Sequence, residues 1–326
     1  MSLGNPERPV GGLAVRPPPG VELRPVGRDD LADVVAMARQ LHGFPPYEHV
    51  EALQPRLDAV INSADAAPYV AVEAGEPVGL GVLEFRRRLN FPTFEGWLSE
   101  LYVRPAARGR GIGRALLDAL VAEWRLRGSH RLQAHVPAQA DAAVAVLSAA
   151  GLEEWMLNFR LRPIKVRDTT RPADLAIRPL TGGDGAVVTR LLSEFGPQRT
   201  PSPDRMEAVL RTFADHARRV QAGIAASTVA ELDGKVVGIC VLEWRHPFWT
   251  NDTHAWVPDL LVTEHARGRG IGRALLADAL ATADNRGAAQ LTLESGRSRA
   301  AAHALYRSMG FEEAGRTFLL RRAEPS

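Results

Sequence analysis

The sequence predicts an α/β (α+β) protein with two tandem domains, each a mixed, mostly antiparallel sheet flanked by helices. Two observations support this prediction. The 326-residue chain matches itself at an offset of 159 residues, and in each copy short β-rich runs alternate with helical patterns. At roughly 150 residues, each copy is long enough to bury a core of its own. The chain therefore reads as the duplication of a whole domain.

The repeat is clearest in the segment ARGRGIGRALL, which occurs at 107–117 and again at 266–276. The match runs without a gap from 75 to 154, and further upstream the offset becomes 154, where 23–30 aligns with 177–184. The following boundaries are predicted: a Pro/Gly-rich tail at 1–20, a first copy at 21–162, a linker at 163–174 and a second copy at 175–326.

Each copy opens with a short strand ending in Arg-Pro, followed by a helix. The run PYVAVEAGEPVGLGVLEFR at 68–86 has two β-rich halves around a Gly-containing turn, which predicts a hairpin. Apolar residues recur at helical spacing in RALLDALVAEWRLRG, and Gly128 closes that helix. The remaining runs of the first copy predict a strand at 97–105, a helix from 114, a strand at 129–136 and a short helix at 142–151.

Composition excludes several classes of protein. The residues are 45% apolar and 24% charged with a formal net charge of +2, which is too small a surplus to indicate a nucleic-acid or membrane partner. The single cysteine, Cys240, rules out an internal disulfide and sits in an apolar run that predicts a buried strand. No run of ~18 apolar residues and no signal-peptide pattern is present, so we expect a cytoplasmic protein.

The duplicated glycine- and arginine-rich block lies between a predicted strand and a predicted helix. A helix start offers unpaired N–H groups and a partly positive dipole end, which together suit a phosphate. Glycines let the backbone approach such a guest, and arginines donate paired hydrogen bonds to its oxygens. The block lacks the Lys of a Walker loop and the third glycine of a dinucleotide fingerprint. One alternative stays open, namely that it is only a Gly-rich helix start.

The spacing Arg-x-x-Gly-x-Gly after an acidic-apolar strand (ELYV or DLLV) resembles the coenzyme A pyrophosphate loop of the GCN5-related N-acetyltransferases. The downstream LYRSMGF at 305–311 resembles that family's second hallmark. The resemblance covers nearly all of both copies and implies acetyl-CoA as co-substrate and no metal. The residues it implies for cofactor binding are Leu261, Val262, Arg267, Gly268, Arg269, Gly270, Ile271, Gly272 and Arg273 in the second copy, and Tyr102, Val103, Arg108, Gly109, Arg110, Gly111, Ile112, Gly113 and Arg114 in the first.

The resemblance also implies direct attack of an amine on the acetyl thioester. Asp259, or its counterpart Glu100 in the first copy, would accept the ammonium proton by burial or through a water, because an unperturbed carboxylate is a weak base at neutral pH. Tyr306 would donate a hydrogen bond to the leaving thiolate, and the first copy has Leu147 at that position. We therefore predict that the second copy is catalytic. Asp259 as a surface acid and Tyr306 as a core aromatic remain alternatives.

Other residues are less informative. Glu243 and Glu84 are weaker proton acceptors, and the family often has Asn where Arg299 stands. His254, His265 and His303 show no metal-ligand spacing. The aromatic residues before the second loop are either packing or a substrate wall: Trp244, Phe248, Trp249 and Trp256.

The function expected is acetyl transfer to a small primary amine by a monomer or homodimer, with no nucleic-acid or membrane partner. A non-catalytic coenzyme A-binding protein and a protein-amine acetyltransferase are the alternatives.

Overall fold

The computed structural model describes residues 16–89, 91, 93–165, 171–195 and 203–321. Most of the tail predicted at 1–20 and the middle of the linker predicted at 163–174 lie outside these residues. Within the described part, twelve strands form one continuous sheet with helices on both faces. The mixed α/β architecture predicted from the sequence is confirmed.

In the part that the structure describes, the first copy contains six strands and four α-helices. In chain order they are β1 (Val21–Pro25), α1 (Leu31–Leu41), α2 (Gln54–Ile61), β2 (Ala66–Glu73), β3 (Glu76–Arg86), β4 (Glu95–Val103), α3 (Ile112–Leu126), β5 (Arg131–Val136), α4 (Asp141–Ala149) and β6 (Glu153–Leu161). The hairpin predicted at 68–86 is β2–β3, and the long amphipathic helix is α3.

The second copy repeats this order. Its elements are β7 (Leu175–Pro179), α5 (Gly185–Phe195), α6 (Pro203–Gln221), β8 (Thr228–Leu232), β9 (Lys235–Arg245), β10 (Thr253–Val262), α7 (Ile271–Asn285), β11 (Ala288–Gly296), α8 (Ala300–Ser308) and β12 (Glu312–Arg321). No helix in the described ranges is both long and apolar enough to cross a membrane.

The two copies exchange their last strands. The sheet order is β1-β2-β3-β4-β5-β12-β6-β11-β10-β9-β8-β7, so β12 of the second copy pairs with β5 and β6 of the first copy pairs with β11. Phe159 on β6 therefore packs in the core beneath α7, and Phe318 on β12 packs in the core beneath α3. Each copy completes the hydrophobic core of the other.

Each copy has a gap between two parallel strands near the middle of the sheet. The pairing of β10 with β11 ends at Val257 and Leu293, although β10 continues to Val262. The pairing ends at a bulge in β10, where Val257 and Pro258 together face one residue of β9. The first copy repeats the bulge, with Ser99 as the extra residue of β4. Among the described residues, the last parts of β4 and β10 therefore have one edge without a paired strand, beside the loops that lead into α3 and α7.

Candidate active site

The loop 267–273 of the second copy leads directly into α7. Gly268 and Gly270 have left-handed backbone angles, with φ of +76° and +80°, where a side chain would be strained. Arg267 Nε donates to the carbonyl oxygen of Val262 at 3.1 Å, which ties the loop to the end of β10. A Cβ built on Gly268 would meet no atom of the described residues within 4 Å, and one built on Gly270 would lie 4.0 Å from Pro172 Cγ. The loop is therefore open at Gly268 among the described residues, and a helix start of this kind suits an anionic group.

The first copy has the same loop geometry. Gly109 and Gly111 have φ of +76° and +84°, and Arg108 Nε donates to the carbonyl oxygen of Val103 at 3.0 Å. The loop residues predicted from the sequence thus lie together in both copies, at the starts of α3 and α7.

The two loops differ in charge. In the first copy, Arg110 is paired with both carboxylate oxygens of Glu73 and holds the pKa of that carboxyl below its usual range. Arg114 Nε also donates to Asp118 Oδ1 at 2.8 Å. Two of the three arginines of this loop are therefore already neutralised by carboxylates.

The second copy lacks both of these carboxylates. Leu232 stands where the first copy has Glu73, and Ala277 where it has Asp118. Within the described residues, Arg269 and Arg273 form no ion pair, and Arg273 donates to the hydroxyl of Ser308. The second loop consequently retains more positive charge for an anionic guest.

The strand residues predicted to flank the cofactor lie next to the gaps. Leu261 is buried and Val262 is half-buried, both on the part of β10 beyond its pairing with β11. Tyr102 and Val103 occupy the matching part of β4. The Tyr102 ring is buried, and the Arg108 guanidinium lies 5.6 Å from its centre.

Tyr306 lies on α8, on the β11 side of the second gap. Its ring packs 5.3 Å from Phe159 and 6.1 Å from Phe311, and it lies beside Ser295. Gly310 ends the helix with φ of +94°, which lets the Phe311 amide bond back to the Tyr306 carbonyl at 3.0 Å. Burial raises the pKa of Tyr306 to about 12, and the charge of Arg299 acts in the opposite direction. The phenol is therefore protonated at neutral pH.

Leu147 occupies the position of Tyr306 on α4. Its side chain is buried in the core beneath α3, together with Phe318. The turn after it is also conserved in geometry, with Gly151 at φ of +84° and Leu152 N bonded to the Leu147 carbonyl at 3.0 Å. The two sites thus share their backbone and differ in the side chain that could donate a hydrogen bond.

Asp259 lies immediately after the bulge of β10 and is 8% exposed. Its Oδ1 accepts a hydrogen bond from Arg88 Nη2 at 3.2 Å, and among the described residues its buried Oδ2 has no hydrogen-bond partner. It faces a small cleft of ≈ 20 Å³, which we call the Asp259 cleft. This cleft is lined by Arg87, Arg88, Leu89, Thr212, Asp215, His216, Arg219, Val241, Glu243, Pro258 and Asp259.

Glu100 is the counterpart of Asp259, but both of its oxygens are occupied. His42 Nε2 lies 2.8 Å from Oε2, and Trp249 Nε1 donates to Oε1 at 3.0 Å. Burial lowers the pKa of His42, but the neighbouring Glu100 outweighs it and raises the pKa overall. Trp249 and the adjacent Phe248 come from the β9–β10 loop of the second copy and are buried against α1. Their rings occupy the position in the first copy that corresponds to the Asp259 cleft of the second copy.

The weaker carboxylate candidates are engaged in ion pairs. Glu243 accepts from Arg219 at 3.1 Å and lies 3.5 Å from His216 Nδ1. Burial would raise its pKa, but these two neighbours lower it to about 2. Glu84 lies 3.9 Å from Arg86. Both are better described as counter-ions than as proton acceptors.

Several residues of the Asp259 cleft escaped the sequence analysis, among them Arg88, His216 and Arg219. Arg88 has Pro247 as its counterpart, so a comparison of charge between the copies could have drawn attention to it. Within the described ranges, no group of three His, Cys, Asp or Glu residues could hold a metal ion. None of the four aromatic residues before the second loop lines the cleft.

Comparison with known proteins gives consistent matches. A model of the acetyltransferase (GNAT) family matches residues 35–152 and 188–311. A mycothiol acetyltransferase of Thermomonospora curvata is 30% identical over 241 residues, which is 68% of this chain and 72% of the relative. An aminoglycoside N(6′)-acetyltransferase type 1 of Stenotrophomonas maltophilia is 31% identical over 155 residues, covering 46% of this chain and 95% of the relative.

Solved structures share the tandem fold. A tandem GNAT protein from the clavulanic acid biosynthesis pathway superposes with a TM-score of 0.60 and 18% identity, covering 94% of this chain and all of the other. A GCN5-related N-acetyltransferase from Sphaerobacter thermophilus gives a TM-score of 0.61 and 20% identity, covering 94% and 96%.

Proposed function

Because the chain belongs to the acetyltransferase (GNAT) family and is an N-acetyltransferase, we propose that its second copy transfers acetyl from acetyl-CoA to a primary amine of a small molecule. The observation that carries this proposal is the contrast between two matched carboxylates. Asp259 keeps one buried oxygen unpartnered among the described residues and faces a cleft, whereas Glu100 has both oxygens occupied. An ammonium group is the natural partner for such an oxygen.

In this mechanism, acetyl-CoA and the amine bind together. The pyrophosphate rests on the loop 267–273, and the pantetheine arm runs along the free edge of β10 beside Leu261 and Val262. The acceptor ammonium gives a proton to Asp259, directly or through a water. The amine nitrogen then attacks the thioester carbon and loses its second proton to solvent, and the tetrahedral intermediate collapses with cleavage of the C–S bond.

Tyr306 donates a hydrogen bond to the departing sulfur. With its pKa near 12 and a thiol near ~8.5, full proton transfer would be uphill by about 5 kcal/mol. A hydrogen bond has no such cost and stabilises the developing thiolate by about 1.5–3 kcal/mol. The coenzyme A thiolate then takes its proton from solvent. This division of roles favours Tyr306 as a donor rather than as a proton source.

The class of acceptor is supported by one further observation. The relatives are named for acetylation of mycothiol and of aminoglycosides, which are small molecules.

The test uses thiol release from acetyl-CoA with a panel of small amines and lysine peptides, on matched variants of the two copies. We expect Asp259→Asn to lower kcat by about 10²–10⁴-fold and Glu100→Gln to leave it within about threefold. Tyr306→Phe should lower kcat roughly 10- to 100-fold, whereas Leu147→Ala should act on stability alone.

Reversed results in these pairs would assign the chemistry to the first copy. Binding of coenzyme A without turnover for any amine would favour a non-catalytic protein, and turnover with peptides alone would favour a protein-amine acceptor.

A further inference from the structure

One side chain of the first copy reaches into the site of the second. Arg88 lies on the β3–β4 loop, and its Nη2 donates to the carbonyl oxygen of Pro258 at 2.7 Å and to Asp259 Oδ1 at 3.2 Å. Its side chain is 10% exposed. Pro258 is a residue of the β10 bulge, so a single guanidinium nitrogen donates hydrogen bonds both to the backbone at the bulge and to the carboxylate that follows it.

These contacts fix the orientation of the carboxylate. With Oδ1 held by Arg88, the second oxygen of Asp259 is left buried and unpartnered among the described residues, beside the cleft. Burial lowers the pKa of Arg88, but Asp259 and Glu95 outweigh it and raise the pKa overall, so the guanidinium remains charged. Glu95 lies 3.9 Å from Nη1 and adds a second negative charge beside the guanidinium.

The reciprocal loop of the second copy does the opposite. It has Pro247 at the position of Arg88 and inserts Phe248 and Trp249 into the first copy, where Trp249 occupies Glu100. Of two loops that cross between the copies, one therefore blocks a carboxylate and the other orients one. An ion pair that only joined the two domains would not require one loop to occupy Glu100 and the other loop to orient Asp259, because it could join them equally well from either copy.

We propose that Arg88 is a positioning residue for Asp259, so that the first copy completes the active site of the second. The proposal rests on the proposed function, in which Asp259 accepts the proton of the acceptor amine. Arg88 acts through this carboxylate alone: it holds Oδ1 directly and holds Pro258, the residue before Asp259, which leaves the other oxygen directed at the ammonium.

The test is a double-mutant cycle on the full chain with the best small amine. We expect Arg88→Gln to lower kcat at saturating amine at least 10-fold while the dissociation constant of coenzyme A stays unchanged. The double variant Arg88→Gln/Asp259→Asn should be no slower than Asp259→Asn alone, because the arginine acts only through that carboxylate. Millimolar guanidinium should restore part of the turnover of Arg88→Gln.

The matched control is Arg56→Gln. Arg56 also crosses from the first copy to the second, where it donates to the carbonyl oxygens of Asn251 and Asp252 at 2.7 and 3.0 Å. Its loss should leave kcat unchanged. If Arg88→Gln does not fold, Arg88→Lys carries the test, since it keeps the charge and can make one of the two hydrogen bonds. It should lower kcat about 3- to 10-fold.

The outcomes separate the two proposals. Full activity of Arg88→Gln, or multiplicative losses in the double variant, would overturn the positioning role while leaving the function intact. Full activity of Asp259→Asn would instead overturn the proposed function at its proton acceptor.

Discussion

Trp249 offers a direct test of how the two copies interlock. Its side chain is 4% exposed, its ring stacks on His42 at 4.3 Å and lies 5.3 Å from Phe44, and its Nε1 donates to Glu100. A tryptophan buries about 150–250 Å², which at about 25 cal/mol per Å² is worth roughly 4–6 kcal/mol. Measured losses for buried aromatic truncations are about 3–5 kcal/mol. We expect Trp249→Ala to lower the free energy of unfolding by about 4 kcal/mol.

The same change should leave kcat unchanged, because this ring belongs to the packing of the first copy and does not line the Asp259 cleft. Stability is measured by urea denaturation followed by circular dichroism, and kcat by thiol release. Trp155→Ala is the matched control: this tryptophan is 46% exposed and lies beneath Arg321, and its loss should cost less than about 1 kcal/mol. A loss of under about 1 kcal/mol for Trp249→Ala would refute the packing. A large fall in kcat with stability unchanged would mean that the aromatic residues before the second loop form a substrate wall.

Two further predictions follow from the exchange of strands and from the loop charges. Phe159→Ala and Phe318→Ala both empty buried sites, and each should lower the free energy of unfolding by about 3–5 kcal/mol. Only Phe159→Ala should also lower kcat, because the Phe159 ring packs on Tyr306. Equal effects of the two variants on kcat would contradict the exchange of strands. Replacing Glu73 by Leu and Asp118 by Ala gives the first loop the residues found beside the second loop. In calorimetric titrations, this change should tighten the binding of coenzyme A by the first copy about 3- to 10-fold. An unchanged affinity would show that these two carboxylates do not limit binding by the first copy.

Much of the fold was predictable because local patterns determine it. The hairpins, the long helix after each loop and the short helix ending in Gly151 or Gly310 follow from periodicity and from glycine, since these signals act within a few residues. The exchange of β6 and β12 was not predictable. Both strands follow the same glycine turn and carry equivalent phenylalanines, Phe159 and Phe318, so either could pair in either copy.

The site was predictable only in part. Asp259 and the two loops follow from motifs that have counterparts in both copies, Tyr306 follows from the segment LYRSMGF of the second copy alone, and the roles of these residues stay predictions. The cleft itself depends on α6 and on the β3–β4 loop, which belong to different copies and have no motif. Arg88 lies about 170 residues from Asp259 in sequence, and only the tertiary structure brings them together.

The interlocking explains why a copy with a blocked carboxylate would be kept. If the first copy were dispensable, the second would need a complete core and a complete cleft of its own. Instead, the ring that supports Tyr306 belongs to β6, and the guanidinium that holds Asp259 belongs to the β3–β4 loop, both in the first copy. Once the last strands had been exchanged, loss of the first copy would remove Phe159 and Arg88 together. The first copy could then have Leu147 in place of a hydrogen-bond donor, and Trp249 beside Glu100, while it still supplied Phe159 and Arg88 to the second copy.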